Sequence, residues 1–264
     1  MTVATLGPAG TFSHELAMRL YDDDIELLPT IRAIIGRVAA GGVKGLVPIE
    51  NSEAGGVGET LQGLMEFDVS ITAEAYMPVR HHLAARGDPG SLPVVYAHPQ
   101  AHEQCSLFLD RVGVEVVHTS SNAASAVAMQ KNEQAGAIVP ETAARIYDLP
   151  IAVRDIQNSR DNVTRFVEIS ALPRGGAGAT KCSLLVDPEL DRIGLLADIL
   201  AVFARRGINL TRIESRPSRR GMGKYLFFID MEIAEGWWEA EEELKGMTTV
   251  RRLGCYARME VLGV

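Results

Sequence analysis

Along the first 170 positions, apolar residues fall into short runs that alternate with stretches of helical spacing. Val3-Ala4-Thr5-Leu6 reads as a strand and Gly7-Pro8-Ala9-Gly10 as a tight turn. Thr11-Phe12-Ser13 opens a helix whose apolar face is Phe12, Leu16 and Leu20. Thr30 caps a second helix with Ile31, Ile34, Ile35 and Val38 on one side, and Gly41-Gly42 ends it. Gly45 to Ile49 is then a buried strand, followed by Glu50-Asn51-Ser52, a glycine-rich turn at 55–58 and a helix starting near Glu59. This strand, polar turn and helix rhythm predicts a parallel sheet, whose ligands collect at the carboxyl ends of the strands.

The rhythm returns in a second half. Val94-Val95-Tyr96-Ala97 is a strand that leads through His98 to Cys105 into a helix; Val114 to Val117 is another, followed by Thr119-Ser120-Ser121-Asn122 capping an alanine-rich helix. Gly136-Ala137-Ile138-Val139-Pro140-Glu141 echoes Gly45-Leu46-Val47-Pro48-Ile49-Glu50, which points to two similar α/β lobes. Chain crossings around 76–84 and near 165–169 would join them and leave a cleft between. Pro173 to Gly178 is a flexible linker. Beyond it the order is strand (181–186), helix, strand (210–215), strand (224–232), helix (237–244) and strand (250–256), a ferredoxin-like βαββαβ unit. The domains expected are therefore residues 1–172, a linker at 173–179 and a second domain at 180–264.

Composition narrows the partners. A formal charge of −8 over 264 residues excludes a broad basic face, so neither nucleic acid nor an anionic membrane is expected as a partner. No basic segment followed by an apolar core opens the chain and no long apolar stretch follows, which predicts a cytoplasmic protein. Cys105, Cys182 and Cys255 are odd in number and far apart, so they read as buried, reduced thiols. The turn at Gly7 to Gly10 lacks the dinucleotide fingerprint. His98 and His102 have helical spacing, but Pro99 puts His98 at the helix cap, and no metal is expected there.

The nine residues from Asn158 to Phe166 are mostly polar and lie between two apolar strand-like runs, so they form a loop delivering Thr164 and Arg165 to the mouth of a strand. Thr11-Phe12-Ser13, Glu50-Asn51-Ser52 and Ser120-Ser121-Asn122 each serve as helix caps when taken singly. Together with Thr164-Arg165 they fall at corresponding strand ends, where hydroxyls, amides and helix N–H groups can grip a small polyanion.

These segments resemble, in order and over nearly the whole chain, a monofunctional prephenate dehydratase with a C-terminal ACT regulatory domain. The matching stretches are Leu6 to Ser13, Val47 to Ser52, His98-Pro99-Gln100-Ala101, Gln104-Cys105 and Asn162-Val163-Thr164-Arg165-Phe166. In the second domain they are Arg206 to Thr211 and Ile213 to Pro217. The chain begins at the dehydratase lobe, with no helical extension for a fused chorismate mutase. The resemblance implies a two-lobed fold similar to periplasmic binding proteins and a cofactor-free conversion of prephenate to phenylpyruvate, carbon dioxide and water. It also implies feedback by L-phenylalanine through the ACT domain, in a homodimer or homotetramer. By position, Thr164 is the catalytic residue, as donor to the departing hydroxyl, with water or Glu50 open as the proton's source. Thr11, Ser13, Asn51, Ser52, Ser120, Ser121, Asn122, Arg165 and Phe166 bind substrate, and Arg165 is expected to neutralise a substrate carboxylate. Gly194, Leu195, Leu196, Asn209, Leu210, Glu214 and Ser215 form the phenylalanine site. Leu195 is bulkier than the residue usual in relatives, and Val163 and Gly56 also depart from the common pattern. Arogenate, with an amino group in place of the keto group, stays open as the substrate, and a non-catalytic aromatic amino-acid sensor is the reading from another class.

Overall fold

The computed structural model describes residues 1–172, 178–188, 192–221 and 223–261. The first lobe runs β1 (Val3–Leu6), α1 (Phe12–Leu20), β2 (Ile25–Leu28), α2 (Ile31–Ala39), β3 (Lys44–Asn51), β4 (Gly55–Gly56), α3 (Gly58–Glu66) and β5 (Ser70–Pro78). β1 pairs in parallel with β2 and β3. The chain then crosses to the second lobe through residues 79–81. That lobe runs β6 (His82–Ala84), β7 (Val94–Ala97), α4 (Pro99–Gln104), α5 (Ser106–Val112), β8 (Glu115–His118), α6 (Asn122–Lys131), β9 (Gly136–Val139), α7 (Glu141–Ile146) and β10 (Ile151–Val153). A second crossing, residues 154–162, returns the chain as β11 (Val163–Ser170), which inserts antiparallel between β3 and β5. The two lobes and the first crossing fall where the apolar pattern puts them; the second crossing does not, because residues 165–169 are already inside β11, paired with β3 and β5 of the first lobe.

Local chemistry explains most of these elements. Thr30 caps α2 by accepting from the Ala33 N–H at 3.1 Å, and Ile31, Ile34, Ile35 and Val38 are all buried, so one stripe supplies the lobe's core. One expected helix after His98 is two short ones meeting at Cys105, whose backbone leaves the helical region. Gly10 is required twice over: its φ is +90°, and a Cβ would lie 3.1 Å from Ala143 of the facing lobe.

The second domain is β12 (Lys181–Asp187), α8 (Leu195–Ala204), β13 (Leu210–Pro217), β14 (Tyr225–Glu232), α9 (Trp237–Lys245) and β15 (Thr249–Arg258), the βαββαβ order read from sequence. The proposed linker lies mostly outside the described residues. What the pattern did not reveal is how the domain docks. β15 pairs in parallel with β5, Ala257 opposite Ala73 and Arg258 opposite Glu74, so first lobe and second domain share one ten-stranded sheet among the described residues. One face of the domain's sheet packs on α8 and α9 through Leu184, Ile229 and Phe203; the other places Leu185, Phe228, Leu253 and Tyr256 in the first lobe's core with Ile34 and Leu64. Apolar burial of this extent makes the two a mechanical unit.

The thiol expectation needs correcting. Cys182 and Cys255 are joined by a disulfide, and only Cys105 is a free, buried thiol. The two lie 73 residues apart, yet β12 and β15 set them directly opposite in an antiparallel pair. Register, which sequence spacing does not carry, is what brings them together.

Candidate active site

Between the lobes lies a cavity of about 1020 Å³, at the top of the range of about 300–1,000 Å³ for small-molecule sites. Thr11, Ser13, Asn51, Ser120, Ser121, Asn122, Thr164 and Phe166 all line it, so eight of the expected residues converge. They come from three places: the start of α1, the neighbouring ends of β3 and β11, and the start of α6.

Thr164 is held in a defined orientation. Register sets it opposite Asn51 across the β3–β11 pair. The Asn51 side-chain amide donates to Thr164 Oγ1 at 3.0 Å and to Asn162 Oδ1 at 2.7 Å, while Asn51 Oδ1 accepts from the backbone N–H groups of Glu53 and Ala54. Asn162, itself 1% exposed, donates onward to Glu53 Oε2. Because Thr164 Oγ1 accepts from Asn51, its own hydrogen is left to point at the cavity. In sequence, Asn162 stands out only as part of the Asn162 to Phe166 motif, and its bracing role depends on a side-chain geometry that the motif does not display.

Three expected residues behave differently. Thr11 lines the cavity, but its hydroxyl donates to Leu6 O at 2.8 Å and accepts from the His14 N–H, so it caps α1 with its hydrogen already committed. Ser52 is exposed and bonded to the 161–163 segment, outside the cavity lining. Arg165 is absent from the lining as well, which corrects its assignment to a substrate carboxylate. Side chains alternate along a strand, so with Thr164 and Phe166 facing the cleft, Arg165 faces away from it. It reaches Glu74 Oε2 at 2.7 Å, Asp230 Oδ2 at 2.6 Å and the Tyr256 hydroxyl at 2.8 Å, all buried beside the second domain. Burial opposes its charge, but Asp230, Tyr256 and Glu74 outweigh that and push its pKa up. Glu50 faces the same way, 3.4 Å from Arg165 and 3.7 Å from Arg212.

No Lys, Arg, Asp or Glu lines the cavity among the described residues. Its histidines are neutral near pH 7: burial lowers the pKa of His98 and drops that of His81 to about 4. Positive potential is left to the starts of α1 and α6, whose first N–H groups have no intrahelical partners. Ser121 caps α6 by accepting from the Ala124 N–H at 3.0 Å, and Ser13 and Asn122 stand beside those starts. Two helix starts on facing lobes are suited to holding an anionic group of a ligand between them.

In the second domain, a smaller cavity of about 200 Å³ is lined by Gly194, Leu195 and Leu196 together with Arg192, Lys224 and Tyr225. Asn209, Leu210, Glu214 and Ser215 do not line it: the last three lie on β13, at an edge of the shared sheet, and Asn209 immediately precedes it. Glu214 sits instead against the hairpin behind the main cleft, where a Cβ on Gly56 would lie 2.0 Å from its carboxylate. That carboxylate is the far end of a flexible side chain that can swing aside, so the contact does not by itself require glycine at position 56. Leu195 is 6% exposed and its side chain belongs to the core beneath α8.

The fold and site define a two-lobed α/β protein with a cavity between its lobes, fused to a ferredoxin-like domain. Comparison with known proteins gives the family. The prephenate dehydratase family model matches residues 3–174 and the ACT domain model residues 185–245. Prephenate dehydratase from Methanocaldococcus jannaschii is 35% identical, over 94% of this chain and 95% of its own length. The bifunctional chorismate mutase/prephenate dehydratase of Aquifex aeolicus is 37% identical over 97% of this chain and 73% of the relative. The crystal structure of prephenate dehydratase from Arthrobacter aurescens in complex with L-Phe superposes with a TM-score of 0.88 at 32% identity, covering all of this chain and 94% of that one. The chain belongs to the prephenate dehydratase family, with an ACT domain at its C-terminal side.

Proposed function

We propose that this chain removes carbon dioxide and water from prephenate to give phenylpyruvate, and that the cavity between the lobes is where it does so. The observation that carries the reading is Thr164, its oxygen fixed by Asn51 and its hydrogen available to the cleft. Prephenate is a dianion whose ring becomes aromatic when the ring carboxylate leaves as carbon dioxide and the opposite hydroxyl leaves as water. Aromatisation drives the reaction, so the protein's task is to position one proton donor and to hold the side-chain carboxylate. Thr164 donates its hydrogen bond to the departing oxygen, and solvent restores the proton. A cleft without formal charge leaves the ring carboxylate poorly solvated, which favours its departure as carbon dioxide. The starts of α1 and α6, with Ser13, Ser120, Ser121 and Asn122, hold the other carboxylate, and Phe166 supplies an apolar wall.

The division at residues 172 and 180 separates this catalytic part from a regulatory one. L-phenylalanine, which a family member binds, is the proposed effector here, seated at Gly194 to Leu196. β13 is an open sheet edge, and Leu196, Ile213 and Tyr225 are exposed on the same domain. Such an edge pairs with a second copy, which would bring Asn209, Leu210, Glu214 and Ser215 of one chain towards the small cavity of another. A homodimer or homotetramer is the proposed assembly, and the cytoplasm the proposed location. The test is phenylpyruvate formation from prephenate, with arogenate as the competing substrate, each with and without phenylalanine. Turnover of arogenate alone, or of neither, would overturn the reading.

A further inference from the structure

One buried group in the cleft wall is left over by this account. His81 lies in the first crossing between the lobes, is 2% exposed, and lines the cavity. Its backbone N–H donates to Gln157 Oε1 of the second crossing at 3.1 Å, and its ring stands edge-on to Phe12 at 5.4 Å between centroids. It therefore touches both lobes and both crossings. Its Nε2 lies 3.0 Å from Gln104 Oε1. An amide oxygen only accepts, so this contact makes Nε2 the protonated nitrogen and leaves Nδ1 as a bare acceptor. That Nδ1 is buried and has no partner.

A buried acceptor left unpaired destabilises a fold, so hydrogen-bonding the core does not explain the ring's presence. Its one side-chain hydrogen bond goes to Gln104, also in the cavity lining. With Oε1 engaged by His81, the amide N–H₂ is what Gln104 has left for the cleft, and no partner holds it among the described residues. In a cavity wall without Lys or Arg, an oriented neutral donor is a scarce resource for an anionic substrate or a departing hydroxyl.

We infer that His81 is a positioning residue for the proposed reaction, locking the Gln104 side chain so that its amide N–H₂, and not its carbonyl oxygen, faces the substrate. This inference rests on the dehydratase reading. Burial keeps the imidazole neutral, with a single ring N–H, and the Gln104 Oε1 acceptor is what holds that N–H on Nε2.

The test is a double-variant cycle on the full chain with prephenate, using His81→Phe, Gln104→Ala and the two combined. His81→Phe keeps the ring edge against Phe12 and removes the N–H. The expected result is a kcat on the order of 10- to 100-fold lower for each single variant, the scale of losing a supporting hydrogen bond or misplacing a group by about 1 Å. The combined variant should be no worse than Gln104→Ala alone, and His81→Gln, which restores a donor, should recover part of the loss. Losses that multiply in the combined variant, or unchanged kcat in His81→Phe, would overturn the inference. Should His81→Phe fail to fold, His81→Leu, alone and combined with Gln104→Ala, carries the same comparison. Wild-type inactivity on prephenate would overturn the dehydratase reading and this inference with it, whereas active wild type with multiplying losses would overturn this inference alone.

Discussion

Replacing Arg165 by methionine separates two accounts of the residue beside Thr164. Methionine keeps much of the side-chain volume and removes the charge. Arg165 is 4% exposed, and its partners Glu74 and Asp230 have side chains 5% and 3% exposed. Glu74 keeps Lys181 at 2.9 Å after the change, but Asp230 keeps only hydroxyl partners such as Ser183. One buried carboxylate is thus left without a cation. At about 4 Å between charge centres and an effective dielectric of about 20, the lost attraction is about 4 kcal/mol, within the range of about 3–5 kcal/mol for breaking buried pairs. At roughly 2–4 °C per kcal/mol for a chain of this size, the melting temperature should drop by about 8–16 °C. Adding Asp230→Leu should recover a good part of it, because the uncompensated charge is gone. The assay is thermal unfolding of wild type, single and double variants, beside the Michaelis constant for prephenate measured below the transition. Because Arg165 faces away from the cavity, that constant should stay within about threefold, under the 1 kcal/mol scale of one ordinary hydrogen bond. An unchanged melting temperature with a hundredfold rise in the Michaelis constant would refute the geometry and return Arg165 to the substrate.

Other expectations follow from the same contacts. Asn51→Ala frees Thr164 Oγ1 and strands the Glu53 and Ala54 N–H groups, so kcat should fall about 10²-fold by loss of positioning alone; steady-state kinetics at unchanged kcat would refute the brace. His81 has a folded pKa of about 4 because burial disfavours its charged form, against about 6.5 unfolded. The unfolded chain therefore takes up this proton first, and the native state loses up to about 3 kcal/mol as pH falls from 6.5 to 4; urea midpoints of His81→Phe should fall less over that window, and parallel curves would contradict the neutral, buried assignment. Thiol titration of the unfolded, unreduced protein should find one reactive cysteine, Cys105; three would contradict the Cys182–Cys255 bond.

Thr164, Asn51 and the α6 start were legible because strand ends and caps in a repeating α/β pattern must gather at one side of a sheet. Arg165 was not, for the same periodic reason: a strand of period two tells which residues share a face, but not which face the cleft takes when both are covered. Only the docking of β15 on β5 decides that, and edge pairing between domains leaves no local mark in Thr249 to Arg258. His81 sits in an Arg80-His81-His82 run without helical or strand periodicity, so its burial depends on two distant crossings coming together. β2, only Ile25 to Leu28 and half-buried throughout, lacked the alternation that marks a strand.

The most direct test of the central claim is turnover of prephenate by Thr164→Val, which keeps the shape of the side chain and removes its hydroxyl. Phenylpyruvate formation should fall by about 10²–10⁴-fold, the usual worth of a positioned proton donor, while calorimetry still detects prephenate binding within a few fold of wild type. Wild-type turnover in the valine variant would contradict the account, because no hydroxyl would then be needed where Asn51 holds one.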